Sequence, residues 1–175
     1  MKYVVKLAAV AALWVSAGAS AQSFQAGYPQ AYAGTDAMAW RADVSGVDDD
    51  LTSAALRLVG GIKLDDYLAV EFHGATGGSD DIFGQKIEMD YLIGGFLKGI
   101  IPVADGARFY GLLGYSELKL SADGAGSDRD DGISFGGGAE VDINDTFALS
   151  ADLMRYLSPS EYDFDALSLG LRYRF

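Results

Sequence analysis

The chain has one histidine, His73, two residues from Glu71, and no cysteine. A histidine beside a carboxylate can pass a proton, but nucleophilic catalysis would then need a positioned hydroxyl, because no thiolate exists to act as nucleophile or metal ligand. A lone histidine among charged neighbours is more often one member of a polar network, so no catalytic residue is assigned. The other chemistry-bearing groups are carboxylates in clusters: Asp48, Asp49 and Asp50; Asp80 and Asp81; Asp123, Asp128, Asp130 and Asp131; Glu161, Asp163 and Asp165. Hard divalent cations prefer such oxygen ligands, yet the run from Asp128 to Gly132 lacks the ligand spacing of a calcium-binding loop. The plainer reading is a solvated, self-repelling rim that resists aggregation. No metal site and no cofactor is assigned.

The elements between these clusters alternate with a period of two. Ala166 to Phe175 puts Leu167, Leu169, Leu171, Tyr173 and Phe175 on one side and Ser168, Gly170, Arg172 and Arg174 on the other, the pattern of a strand with one apolar face. Seven further runs read the same way. They are Asp36 to Val44, Ser53 to Leu64, Tyr67 to Ala75, Ile87 to Gly99, Tyr110 to Leu120, Ile133 to Ile143 and Phe147 to Leu157. Short connections at Lys63 to Asp66, Pro102 to Ala107 and Asp142 to Asp145 alternate with longer ones at Ser45 to Asp50, Gly77 to Gly84, Ser121 to Gly132 and Ser158 to Asp165. Eight strands of this length, with turns at one end and loops at the other, predict an all-β fold: a closed eight-stranded antiparallel up-and-down transmembrane β-barrel. The glycines at Gly60-Gly61, Gly94-Gly95 and Gly136 to Gly138 suit a narrow barrel, where they permit bending and close packing of side chains in the lumen.

Met1 to Ala21 reads as a secretory signal peptide, with Lys2 and Lys6 at its start, an apolar stretch from Leu7 to Val15 and small residues at Ala19-Ser20-Ala21. Residues 22–175 then form the barrel domain. Loss of those two lysines takes the basic count from 13 to 11 against 25 acids, so the formal charge moves from −12 to −14. A surface this acidic argues against a nucleic-acid partner.

Alternation assigns Arg41, Arg57, Lys63, Lys98, Lys119, Arg172 and Arg174 to the lumen, together with Glu71, Glu88, Asp90, Glu117, Glu140 and Asp152. Seven bases against six acids are nearly neutral. An eight-stranded barrel is only wide enough for its own side chains, so these charges are expected to pair across the lumen and close it. A narrow ion path is the competing reading.

From Tyr110-Gly-Leu-Leu-Gly-Tyr115 through Gly136-Gly-Gly-Ala-Glu140 and Asn144-Asp-Thr-Phe147 to Phe175, the chain resembles the small eight-stranded outer-membrane β-barrel family that includes OmpA-like, OmpX-like and opacity-type surface proteins. Gly60-Gly-Ile-Lys-Leu-Asp-Asp-Tyr67 looks like that family's second strand, periplasmic turn and third strand. The resemblance implies location in the outer membrane of a Gram-negative bacterium after cleavage near Ala21. It also implies contact with outer-membrane lipid and lipopolysaccharide, a monomeric state and a structural or surface-interaction role in envelope integrity or adhesion. Tyr173 and Phe175 resemble the signal read by the outer-membrane barrel assembly machinery, and the opacity-type likeness implies an extracellular partner for the acidic loops. No separate periplasmic domain is expected after Phe175. Some barrels of this kind are lipid A deacylases or acyltransferases, but the His-x-Ser arrangement of the deacylases is missing around His73. The remaining alternative is a soluble periplasmic barrel with its leucines turned inward around a ligand, since alternation alone does not fix which face is outside.

Overall fold

A computed structural model describes residues 27–44, 51–77, 79–82, 85–122, 126–157 and 162–175. The strands are β1 (Gln30–Val44), β2 (Leu51–Lys63), β3 (Leu68–Thr76), β4 (Ser79–Ile82), β5 (Gln85–Ala104), β6 (Ala107–Ala122), β7 (Gly126–Asp142), β8 (Phe147–Leu157) and β9 (Tyr162–Arg174). Consecutive strands pair antiparallel except β3 and β4; β3 pairs instead with β5 as well as β2, and β1 also pairs with β9. The result is a closed eight-stranded barrel without a free edge in its body. The four-residue β4 adds nothing to the circumference; it pairs with β5 from Gln85 to Glu88, above the stretch of β5 that β3 occupies.

The turns follow from local chemistry. Asp65 Oδ1 accepts the backbone N–H groups of Tyr67 and Leu68 at 2.7 and 2.8 Å, and Asn144 Oδ1 accepts those of Thr146 and Phe147 at 2.9 and 2.8 Å. These are side-chain-closed turns of the kind Asp and Asn favour. Between β5 and β6, Gly106 takes a φ of 76°, which a side chain would disfavour.

The outer wall carries Leu56, Leu58, Phe72, Leu97, Phe109, Leu113, Phe135, Leu149, Leu153, Leu167 and Leu169, all exposed. That is the lipid-facing band of a membrane barrel, and the reading that turns the leucines inward around a ligand does not fit it. Apolar side chains also fill the loop end of the interior, where Met38, Trp40, Met89, Leu92, Leu118, Met154, Tyr156 and Phe164 are buried together. Trp40 stacks on Phe164 with ring centroids 5.3 Å apart.

Four sequence expectations are corrected. β1 begins at Gln30, six residues before Asp36. The stretch from Ser121 to Gly132 is largely ladder, with Ser121 opposite Ser127 and Ala122 opposite Gly126. On β6 the assignment of Glu117 and Lys119 to the lumen implies that Leu112 and Leu118 face lipid, and the structure exchanges the two faces: Tyr110, Leu112 and Leu118 point inward, and Leu113 and Tyr115 outward. On β5 a bulge between Met89 and Tyr91 turns Met89 inward, because an inserted residue breaks the period of two.

Candidate functional site in the barrel interior

Below the apolar plug the interior is charged. At its centre lies Arg57 from β2, fully buried, whose guanidinium donates to three partners. Nε reaches Asp36 Oδ2 at 2.6 Å, Nη2 reaches Asp152 Oδ2 at 2.5 Å, and Nη1 reaches the Tyr156 hydroxyl at 2.7 Å. Asp36 is shared, because Arg172 from β9 also donates to both its oxygens. This three-strand clasp of β2, β1 and β9 spans the seam where the first and last strands meet.

The Tyr156 hydroxyl is 2.8 Å from His73 Nδ1, and His73 Nε2 is 2.7 Å from Glu71 Oε1. Glu71 Oε2 accepts from Tyr32 at 2.5 Å and from Lys98 Nζ at 2.8 Å. Lys98 lies 4.0 Å from the centre of the Tyr110 ring and 3.5 Å from Glu140 Oε2. Toward the turn end, Arg108 bridges Glu140 and Asp142, and Arg174 Nη2 reaches Asp142 Oδ1 at 2.9 Å. Ion pairs and hydrogen bonds therefore run without a break from Arg57, midway along β2, to Arg174 at the turn end. Buried charges persist only when neutralised this closely.

Glycines make room for the larger members. A Cβ at Gly170 would stand 1.6 Å from Asp36 Oδ1, and one at Gly61 would stand 2.2 Å from the Tyr32 ring. Both face inward from strands beside the groups they admit, so a side chain there would displace the clasp or the Tyr32–Glu71 bond.

Of the thirteen charges assigned to the lumen from sequence, Arg57, Glu71, Lys98, Glu140, Asp152 and Arg172 are buried in this chain of contacts. Arg174 joins it at the turn end. Lys63 keeps the inward register but is only partly covered, with its ammonium 5.5 Å from the centre of the Tyr28 ring. Four assignments are corrected. Arg41 is exposed on the outer wall beside buried Trp40. Lys119 reaches Asp90 at 2.5 Å and Arg129 reaches Glu117 at 3.4 Å, all on the outward side of the β5–β7 extension. These charges sit above the apolar band, where an outward side chain meets water or lipid headgroups, so charge there does not mark the lumen. The Glu88 side chain lies outside the described residues, as do the signal segment, Asp48 to Asp50, Asp123 and Glu161, and the side chains of Asp80, Asp81, Asp128 and Asp163.

Sequence reasoning missed Asp36, Tyr32 and Arg108. Asp36 shares its parity with Met38 and Trp40, and the assignment of Arg41 to the lumen puts that parity on the lipid side. Once the small residues Ala37 and Ala39 are taken as the outward side, Asp36 and Gly34 mark the inward one.

Among the described residues no group of His, Asp and Glu has the arrangement of a metal site, and no helix is long and apolar enough to cross a membrane. The latter says nothing about crossing by strands. This arrangement of buried ion pairs and hydrogen bonds is suited to tying the strands of the barrel together across its interior.

No curated protein matches the sequence. Among solved structures, the fold is similar to that of Ail, the attachment invasion locus protein of Yersinia pestis, at 15% identity and a TM-score of 0.65, covering 85% of this chain and 100% of that one. Neisserial surface protein A superposes at 19% identity and a TM-score of 0.61, covering 83% and 97%. OprG from Pseudomonas aeruginosa does so at 13% identity and 0.60, covering 87% and 99%. At such identities the likeness speaks for the fold. The outer membrane protein beta-barrel domain matches residues 7–175, and the chain belongs to that family of bacterial outer-membrane proteins.

Proposed function

We propose that this outer-membrane protein is a closed barrel with a structural or surface-interaction role, in envelope integrity or adhesion, and without catalytic chemistry. The observation that carries the reading is the interior itself. Among the described residues, ion pairs from Arg57 to Arg174 occupy the lower interior and an apolar plug around Trp40 and Phe164 occupies the upper, which supports a lumen too full for a porin-like current. His73 is engaged on both ring nitrogens by Tyr156 and Glu71, which supports a place in the network rather than at a substrate.

Residues 1–21 act as the cleaved signal. Tyr173 and Phe175, exposed at the turn end with their rings 4.9 Å apart, serve as the signal for the assembly machinery of a monomeric barrel. Lipopolysaccharide and outer-membrane lipid bathe the wall, and the loops meet the exterior. One Ail structure holds the heparin analogue sucrose octasulfate, a polyanion. The four loops here are acidic in sequence, so their complement is a basic partner, because like charges repel.

A binding screen tests this. Intact protein and variants with each acidic loop shortened are presented to lipopolysaccharide and to host matrix proteins. Loss of binding with a shortened loop, reproduced in the intact protein by high salt, which screens the same charges, supports the reading. Equal binding by all loop variants contradicts it.

A further inference from the structure

The outer wall is not uniform. Across β1, β9, β8 and β7 the register sets Arg41 opposite Asp165, Asp165 opposite Arg155, and Arg155 opposite Phe135. One step toward the turns, the next outward row is Ala39, Leu167, Leu153 and Gly137, and the row below that is Ala37, Leu169, Ala151 and Ala139. Two residues along a strand span about 6 to 7 Å. A row of charge therefore caps a wall in which small residues alternate with leucines. A groove of about 530 Å³ opens there, lined by Ala39, Arg41, Phe135, Leu153, Arg155 and Leu167 among others.

Arg155 donates Nε and Nη2 to the two carboxylate oxygens of Asp165 at 2.7 and 2.8 Å, which fixes its fork in the plane of the wall. The pair is only partly covered, at 36% and 47% side-chain exposure. With Arg41 the row carries a formal charge of +1, on a protein whose sequence is strongly acidic. It stands at the loop end of the lipid-facing band, the level of the outer leaflet's headgroups.

We propose that Arg41, Arg155 and the groove beneath them bind the phosphorylated glycolipid of the outer leaflet, with a lipid A phosphate on the arginines and one acyl chain along Ala39, Leu153 and Leu167. Guanidinium groups suit phosphate in charge and as multiple N–H donors; Asp165 takes Nε and Nη2 of Arg155 and holds that cation in place, and Arg41 supplies the row's excess positive charge. The apolar groove gives the chain a seat that a flat leucine wall would not. The site deepens the lipopolysaccharide part of the proposed function and rests on it, but is independent of whether the lumen conducts.

The test uses the purified barrel in detergent with EDTA, so that divalent cations cannot bridge phosphate to the acidic loops. Native mass spectrometry measures binding of bisphosphorylated lipid A, dephosphorylated lipid A and phosphatidylglycerol. The expected result is preferential binding of bisphosphorylated lipid A, weakened about tenfold or more in the Arg41→Gln/Arg155→Gln variant. Ala39→Leu, which fills the groove without touching charge, weakens it too, while Arg129→Gln on the β7 extension does not. Because Ala39 is outward-facing, that variant keeps the test decisive should the double one not fold. Lipid A binding insensitive to these variants overturns the site alone. Equal binding of dephosphorylated lipid A or of phosphatidylglycerol overturns the choice of ligand. Absence of any lipid A binding overturns both the site and the lipopolysaccharide reading beneath it.

Discussion

Replacing Arg57 by methionine separates an ion network that holds the barrel together from charges that merely share a lumen. Methionine keeps most of the side chain's length and supplies none of its donors. Asp36 retains Arg172 on both oxygens, so it stays neutralised. Asp152 retains only the Tyr110 hydroxyl, at 3.1 Å, among the hydrogen bonds described for its side chain. The cost is therefore that of one buried carboxylate stripped of its cation, about 3 to 5 kcal/mol. Asp152→Asn in the same chain removes the stranded charge, so the double variant should be more stable than Arg57→Met alone, with a coupling of about 2 kcal/mol. Urea unfolding in detergent reads both. Trp40, the sole tryptophan once residues 1–21 are removed, lies on Phe164 inside the barrel and reports the loss of packing. A single-variant cost below about 0.5 kcal/mol, or costs that simply add in the double variant, would refute the reasoning.

Gly170→Val should abolish or strongly slow formation of the compact, heat-modifiable form on gels, because its Cβ meets Asp36 and the Thr35 carbonyl; Gly99→Ala, with open space around its Cβ, should fold normally. Leu113→Arg, on the 59%-exposed outward side of β6, should cost about 2 to 4 kcal/mol in a bilayer. Lys119→Met, in a pair with Asp90 that is partly exposed on the outer side, should cost under about 1 kcal/mol, which checks the corrected facing of that strand by the same unfolding assay. His73→Gln should leave the lipid A mass spectrum of cells carrying the protein unchanged while lowering the unfolding midpoint. A changed acylation pattern would revive the enzyme reading.

The alternation on β2, β3, β7, β8 and β9 was legible because polar or charged residues stood opposite large apolar ones along most of each strand. Leu149 and Leu153 against Ser150 and Asp152 on β8, or Leu167, Leu169 and Leu171 against Ser168 and Arg172 on β9, separate the two faces, and the exposure of the leucines in the structure shows which is outside. β1 and β6 misled because the interior of an eight-stranded barrel is narrow enough for side chains to fill, and part of it is packed as an apolar core. Met38, Trp40, Tyr110, Leu112 and Leu118 belong to that core, leaving Ala37, Ala39 and Leu113 outside. Where both faces are apolar, charge became the tiebreaker, and Arg41, Glu117 and Lys119 lie beyond the apolar band, where the tiebreaker has the opposite sense. The bulge at Asp90 is not visible in the sequence, because the period of two holds on either side of it and only the cross-strand register reveals the inserted residue. The partnering of charges needed the closed geometry. Asp36 and Arg172 are 136 residues apart and meet only because β1 pairs with β9.

Single-channel recording in planar bilayers, on purified and heat-modifiable monomer, tests the closed lumen most directly. A lumen filled by the Arg57 clasp, the Glu71–Lys98 pair and the Trp40 plug gives no large, steady openings for the wild-type protein. Steady, high-conductance channels from that same folded monomer would contradict it.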